Sequence, residues 1–230
     1  MNPKVVAIIP AGGSGRRMQS RNPKQYLLLD GKPVLVHTLL RLQQHSLIDE
    51  ILLVVPEQDR SFVVENIEKP YRLTKIREVI SGGKERQDSV RNGLARVGDD
   101  CDIIVVHDGV RPFVAEETLS QVIGAALRFG AAIAGVPVTD TVKQSDGAGN
   151  ISRTLNREAL WLAQTPQAFG RRILQEAYLK AAEEDFHGTD DASLVEHLGI
   201  PVKLIPGSYR NIKITTPDDL VLAGAFLKQD

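Results

Sequence analysis

Val5-Val6-Ala7-Ile8-Ile9-Pro10-Ala11-Gly12-Gly13-Ser14-Gly15-Arg16-Arg17-Met18 opens the chain, and Arg21, Asn22, Pro23, Lys24 and Gln25 follow closely. The short apolar run, rich in β-branched residues and ended by Pro10, has the character of a strand buried in a parallel sheet. The glycines behind it let the backbone approach a ligand closely and turn N–H groups toward an anion. Four cations (Arg16, Arg17, Arg21 and Lys24) crowd this turn, and no acid precedes Asp30. In a chain whose formal net charge is −1, that local asymmetry fits a polyphosphate. From the residues alone, the alternative is a tight strand-to-helix turn beside a solvated basic face.

Two commoner phosphate binders are excluded. A P-loop requires Gly-Lys followed by Ser or Thr, which occurs nowhere in the chain. In the dinucleotide fingerprint G-x-G-x-x-G, a third glycine packs helix on strand, but Gly13-Ser14-Gly15-Arg16-Arg17-Met18 has methionine there. The 230 residues are 42% hydrophobic and 25% charged, the balance of one soluble domain with a substantial core. A near-neutral charge argues against bulk nucleic-acid or membrane-surface binding. Cys101 is the only cysteine, so neither an intrachain disulfide nor a cysteine-based zinc site can form. No run approaches 18 apolar residues. These features together predict a cytoplasmic protein.

Strand-like and helix-like segments alternate along the first 138 residues. Leu35, Leu39 and Leu42 give one apolar face to a helix after Pro33. Ile51–Val55 forms a second strand, a helix with Phe62, Val63 and Ile67 follows, and a third strand runs through Ile76 to Ile80. Ser81-Gly82-Gly83 leads to a helix starting near Glu85, with Val90, Leu94 and Val97 as its core stripe. Ile103–Val106 is the fourth strand, with His107-Asp108 at its end; a helix from Glu116 to about Phe129 leads to a strand over Ala131–Val138. Such alternation predicts a parallel sheet covered on both faces. Ligands of these sheets bind beyond the strand C-termini, so segments 10–17, 81–89 and 107–112 should converge on one edge.

Between Val138 and Trp161 the pattern changes. Polar-alternating pieces flank Asp146-Gly147-Ala148-Gly149-Asn150, which reads as a β-hairpin. It has too few apolar residues to be stable alone and calls for a partner chain; a surface loop is the other reading. Thr216-Pro217-Asp218-Asp219 supplies an N-cap, an N1 proline and early acids for a last helix.

Several of these segments resemble one family. Pro10–Met18 with Pro23-Lys24-Gln25 resembles the opening of sugar- and alditol-phosphate nucleotidyltransferases. Gly82–Val90, Val106–Pro112, Gln164-Thr165-Pro166-Gln167, Thr189-Asp190-Asp191-Ala192-Ser193 and Asn211-Ile212-Lys213 narrow the resemblance to the 2-C-methyl-D-erythritol 4-phosphate cytidylyltransferases of non-mevalonate isoprenoid synthesis. The likeness runs from about residue 4 to residue 228. Gly12 stands where that family usually has a second alanine, and Gly109-Val110 where Ala-Ala or Gly-Ala is usual. The Ala-Gly-Gly form also occurs in ribitol-5-phosphate cytidylyltransferases, the second reading. A non-catalytic nucleotide-binding module is a third.

The resemblance implies an α/β fold: a Rossmann-like, mostly parallel sheet flanked by helices, of the nucleotide-diphospho-sugar transferase type, with a protruding β-hairpin arm. Residues 1–230 would form one domain, with 139–157 as a dimerisation arm. The implied reaction is CMP transfer from CTP to methylerythritol phosphate with loss of pyrophosphate. Arg17 and Lys24 take the role of transition-state stabilisers, consistent with an arginine's planar fork and a lysine's compact charge. Ala11, Gly12 and Gly13 would line the nucleotide, with Gly83 and Ser89 near the cytosine. Arg111, Thr141, Arg157, Thr165 and Lys213 match positions that hold the acceptor; for Arg157 and Lys213 the residues alone read as surface cations. Asp108 either caps the turn it begins or contacts the ribose or acceptor hydroxyls. His107 reads as a packed strand-end histidine. Mg²⁺ is implied, bound mainly through CTP phosphates, and no protein metal ligand is assigned. The expected partners are CTP, the acceptor and a second copy of the chain.

Overall fold

A computed structural model describes residues 3–13 and 23–229; Arg16, Arg17 and Arg21 lie outside the described residues. In chain order the strands are β1 (Val5–Pro10), β2 (Leu28–Leu29), β3 (Lys32–Pro33), β4 (Glu50–Val55), β5 (Ile76–Ser81), β6 (Ile103–Val106), β7 (Ala131–Pro137), β8 (Lys143–Ser145), β9 (Ile151–Thr154), β10 (Trp161–Gly170) and β11 (Lys203–Pro206). The α-helices are α1 (Val34–Gln44), α2 (Arg60–Val63), α3 (Arg86–Leu94), α4 (Glu116–Phe129), α5 (Arg171–Glu183), α6 (Asp191–His197) and α7 (Pro217–Leu227).

Seven strands form one sheet in the order β11-β7-β10-β6-β1-β4-β5. β1 lies parallel to both β4 and β6, with Ile8 opposite Leu52 on one side and Val106 on the other. Within this sheet β10 runs antiparallel to both of its neighbours. The chain order reverses at β1, since β4 and β5 extend one way and β6 the other. A crevice therefore opens beyond the C-terminal ends of β1 and β6.

Both faces of the sheet are buried, which explains why β1 is apolar at every position. Val5, Ala7 and Ile9 pack under α1, α2 and α4, while Val6 and Ile8 point to the opposite layer under α3, α5 and α6. α7 packs Ala223 against a third cluster containing Leu29, Val34, Val110, Phe113 and Ile214. Thr216 caps α7, with Pro217 at its first position and Asp219 completing a capping box.

Two details depart from the sequence expectation. Phe62 is 46% exposed and sits edge-on to Tyr26, so Val63 and Ile67 alone carry the buried stripe of that segment. Val97 lies beyond the end of α3 and only flanks the core. Elements from β10 to β11 had no counterpart in the sequence pattern. β10 holds Pro166 at a register shift between Ala163 and Gln167, and an internal proline argues against a central strand. The irregularity is what lets proline occupy this place.

The hairpin over 143–154 forms as expected, with Lys143 opposite Thr154. Its turn closes on Asp146, whose Oδ1 accepts N–H bonds from Ala148 and Asn150. All residues of β8 and β9 are exposed.

Candidate active site

The crevice at the strand reversal is a cleft of about 410 Å³. Its floor comes from Pro10, Ala11, Gly12 and Gly13 after β1. One wall comes from Gly83 to Arg86 and Ser89 at the start of α3, and the other from Asp108, Val110 and Lys213. Lys24 and Gln25 close the remaining side. The described part of the first glycine-rich segment, 10–13, converges with parts of 81–89 and 107–112 on one sheet edge.

Local hydrogen bonds set these walls. Ala11 N–H donates to Val54 O at 2.8 Å, and Gly82 N–H to Val55 O at 2.7 Å, so both loops leave the sheet in fixed directions. Ser89 Oγ accepts from Gly83 N–H and donates to Glu85 O, each at 3.1 Å. Its hydroxyl thus pins the glycine turn onto α3. A Cβ at Gly83 would fall 2.1 Å from Asp88 Cβ, so this close approach requires glycine. Gly12 has no such constraint; a Cβ there would meet Pro56 at 3.7 Å, ordinary contact. Glycine in place of alanine at 12 therefore leaves the floor sterically unchanged.

Asp108 is buried and faces three cations. Its carboxylate lies 3.1 Å from Arg86 Nε, 2.9 Å from Lys213 Nζ and 3.5 Å from Arg111 Nε. Burial by itself would raise its pKa, but Arg86, Lys213 and Arg111 outweigh that and hold the group far below the usual carboxylate range. Burial likewise opposes the charge on Arg86, and Asp191 and Asp108 together reverse the effect and raise its pKa. Both groups are ionised at any working pH.

Beneath Asp108 runs a chain of three hydrogen bonds. Asp108 N–H donates to Thr165 Oγ1 at 3.0 Å, Thr165 Oγ1 lies 3.1 Å from His107 Nδ1, and His107 Nε2 lies 3.1 Å from Arg111 O. A carbonyl can only accept, so Nε2 carries the proton and Nδ1 accepts from the threonine. Burial lowers the His107 pKa from 6.5 to about 4, against a smaller raising effect of its bond to Arg111. His107 is a packed, neutral strut and not an acid or base. Thr165 keeps one lone pair for a donor from the cleft side.

A second pocket of about 210 Å³ adjoins the first. β10 contributes Ala163, Gln164, Thr165 and Gln167; Arg111, Thr189 and Asp190 line the rest. Arg86, Asp108 and Lys213 line both pockets. They form the boundary between them. Asn211 stays buried behind this boundary, donating to Thr165 O at 2.8 Å while Arg111 Nη1 donates to Asn211 O at 2.7 Å.

Of the residues expected from the sequence, Ala11, Gly12, Gly13, Lys24, Gly83, Ser89, Asp108 and Lys213 meet at the larger cleft, and Arg111 and Thr165 at the smaller pocket. Thr141 and Arg157 line neither. Both are exposed, and Arg157 Nη1 donates to Thr139 O at 2.6 Å, tying the base of the hairpin. Arg17 lies outside the described residues. Arg86 had no assigned role, though it stands within a quoted motif. It is the first residue of α3, where a cation opposes the helix dipole. That local misfit was its signal.

No three His, Cys, Asp or Glu side chains among the described residues are grouped to hold a metal. The one carboxylate on the boundary is already matched by cations. Such a donor set suits an ion carried in on phosphate oxygens.

The chain matches the family model for 2-C-methyl-D-erythritol 4-phosphate cytidylyltransferase over residues 5–229. It belongs to that family. A 2-C-methyl-D-erythritol 4-phosphate cytidylyltransferase of Syntrophus aciditrophicus (strain SB) is 70% identical over 230 residues, covering 100% of this chain and 98% of the relative. One from Geotalea uraniireducens (strain Rf4) is 47% identical, covering 98% and 97%. Among solved structures, the 4-diphosphocytidyl-2C-methyl-D-erythritol synthase of Anaerococcus prevotii DSM 20548 superposes with a TM-score of 0.87 at 34% identity, covering 99% of this chain and 97% of that one. The cytidylyltransferase of Thermus thermophilus gives 0.81 at 35% identity, covering 98% and 99%. Cytidylyltransferase family membership and the mostly parallel α/β sheet agree. No helix among the described residues is long and apolar enough to cross a membrane.

Proposed function

We propose that this cytidylyltransferase family member moves CMP from CTP onto 2-C-methyl-D-erythritol 4-phosphate and releases pyrophosphate. The observation that carries this reading is the pair of adjoining pockets with Arg86, Asp108 and Lys213 common to both. A group-transfer enzyme needs two ligands held end to end, and a shared charged boundary is where the transferred phosphorus belongs.

An acceptor phosphate oxygen attacks the α-phosphorus of CTP; the new P–O bond forms as the bond to the bridging β-oxygen breaks, and pyrophosphate takes that electron pair. A phosphate monoester is largely dianionic near pH 7, with a second pKa of about 6, so no general base is needed. Lys24 beside Gly13, with Arg17, would stabilise charge growing on the phosphate oxygens. Ala11, Gly12, Gly13, Gly83 and Ser89 would cradle the nucleotide, and small residues there favour a pyrimidine. Mg²⁺, held through the triphosphate, would supply charge neutralisation there. Arg111, Thr165 and Lys213 would receive the acceptor, with Asp108 facing its hydroxyls or those of the ribose.

Thr141 and Arg157 would complete the acceptor site of a second copy. The supporting facts are a fully exposed hairpin and exposed apolar side chains at its tip, Ile151 at 65%, and on β10 just after its base, Leu162 at 56% and Trp161 at 38%. The chain would then be one domain with an arm at 139–157, working as a cytoplasmic homodimer whose two sites form together.

The test is pyrophosphate release measured with each of the four ribonucleoside triphosphates against methylerythritol phosphate and ribitol 5-phosphate. Turnover should require CTP and prefer methylerythritol phosphate. Preference for ribitol 5-phosphate would reassign the acceptor, and no turnover with any pair would overturn the enzymatic reading.

A further inference from the structure

Arg86 stands on the boundary of the two pockets, and its guanidinium is held on two sides. Nε meets Asp108 Oδ1 at 3.1 Å, and Nη1 meets Asp191 Oδ2 at 2.7 Å. The Asp191 side chain is 0% exposed, and its Oδ1 accepts from the Tyr178 hydroxyl at 2.6 Å. Asp191 opens α6 and Tyr178 lies on α5, so a brace spanning α3, α5 and α6 stands behind one carboxylate at the boundary.

Burying two carboxylates beside a half-buried guanidinium is costly unless each charge is paired, and apolar residues of similar volume commonly stabilise a fold as well or better. The value of this arrangement lies in orientation. A guanidinium is a planar fork; with two of its nitrogens engaged its plane is fixed, and Asp108 Oδ1 is fixed with it. Gln167 extends the same frame: its Oε1 accepts from Ala192 N–H at 3.1 Å and its Nε2 donates to Asp190 Oδ2 at 2.7 Å. The Thr189-Asp190-Asp191 run therefore divides its work. Thr189 and Asp190 line the smaller pocket, while Asp191 turns inward to Arg86.

We propose that Arg86 is a positioning residue for the transfer reaction: braced by Asp191 and Tyr178, it sets the Asp108 carboxylate that receives hydroxyl groups of the bound ligands. This rests on the nucleotidyl-transfer reading above. The hydroxyls belong either to the ribose of CTP or to the polyol acceptor, and separate KM values distinguish the two.

The experiment is a double-mutant cycle in the full-length protein. Arg86→Lys and Tyr178→Phe are made alone and in an Asp108→Asn background, with kcat, the KM for CTP, the KM for the acceptor and Tm measured for each. Arg86→Lys should lower kcat/KM about 10- to 100-fold in the parent but less than about 3-fold when Asp108 is already Asn, because contacting residues couple. Tyr178→Phe, which removes one hydroxyl and keeps the ring packed, should show the same pattern at about 3- to 10-fold, and it carries the test if Arg86→Lys fails to fold. The KM that rises names the ligand whose hydroxyls Asp108 receives. Equal losses in both backgrounds would mean that Arg86 acts on the fold or on a ligand directly, which overturns the proposal. Full activity of Asp108→Asn would overturn it too. An unmodified enzyme with no pyrophosphate release is a different failure, that of the transfer reading, and leaves no reaction to position.

Discussion

The boundary between the pockets and the arm over 139–157 both carry cations that the proposed reading brings to the acceptor, yet they hold them in opposite ways. Lys213, Arg111 and Arg86 converge on a buried carboxylate, and the layer beneath is bonded down to His107. Arg157 is exposed and bonds to the backbone carbonyl of Thr139. The hairpin's internal bonds fix its own turn and register, but nothing apolar within β8 and β9 is buried. A rigid site can come from one chain where charges are buried among partners. Where they are solvated, the ordering must come from outside.

The broadest way to test that contrast is to remove the divalent ion. Chelation with EDTA should abolish turnover while the Tm of the ligand-free protein stays almost unchanged, since the boundary's charges are matched by side chains. A large fall in Tm would reveal a structural metal. Next in size, Lys24→Ala and Arg17→Ala should each lower kcat by two or more orders of magnitude, as loss of one preorganised donor costs about 3–4 kcal/mol in the transition state. Each variant should fold normally by circular dichroism. A folded variant with near-normal turnover would remove that residue from the mechanism.

The layer beneath the boundary should also show in acid. His107 titrates near 4 when folded against 6.5 when free, so between those values the unfolded chain binds more protons. Stability is then complete above pH 6.5 and falls as the pH drops toward 4, by about 3 kcal/mol in all at 1.36 kcal/mol per unit. His107→Gln should flatten the urea midpoint across that window. An unchanged slope would place the acid sensitivity elsewhere. The hairpin should contribute nothing there.

The smallest effect is the one that tests the arm. Arg157→Ala should raise the acceptor KM and lower kcat/KM about 10- to 100-fold, the range for a hydrogen bond to a charged group, with CTP affinity nearly intact. If the arm crosses to a second copy, mixing Arg157→Ala with Lys24→Ala subunits restores one site in each mixed dimer. That is about a quarter of all sites after random exchange. Verified mixed dimers that stay inactive would show that each chain builds its own acceptor site, and the contrast between the two regions would collapse.

Much of this was legible in residue order because the first half of the chain obeys local rules. Apolar strands bounded by glycine and proline gave β1, β4, β5, β6 and β7, and the turn chemistry around Asp146 gave the hairpin. β10 was opaque: Gln164-Thr165-Pro166-Gln167 is polar and interrupted, and it becomes a central strand only because Asn211, Asp190 and Asp108 supply partners for its buried groups. Arg86 was opaque for a related reason. Its pairing with Asp191 joins residues 105 positions apart.

The sequence by itself determined the alternating α/β architecture, the glycine-rich turn after β1 and the family, since those depend on short-range periodicity, backbone permission and contiguous motifs. Only the tertiary structure decided that Asp108 is the hub of three cations, that two pockets share Arg86, Asp108 and Lys213, and that Arg157 stands apart from both. Those facts depend on which distant side chains share a low-dielectric interior, and charge pairing there is set by the packing of helices and strands on one another.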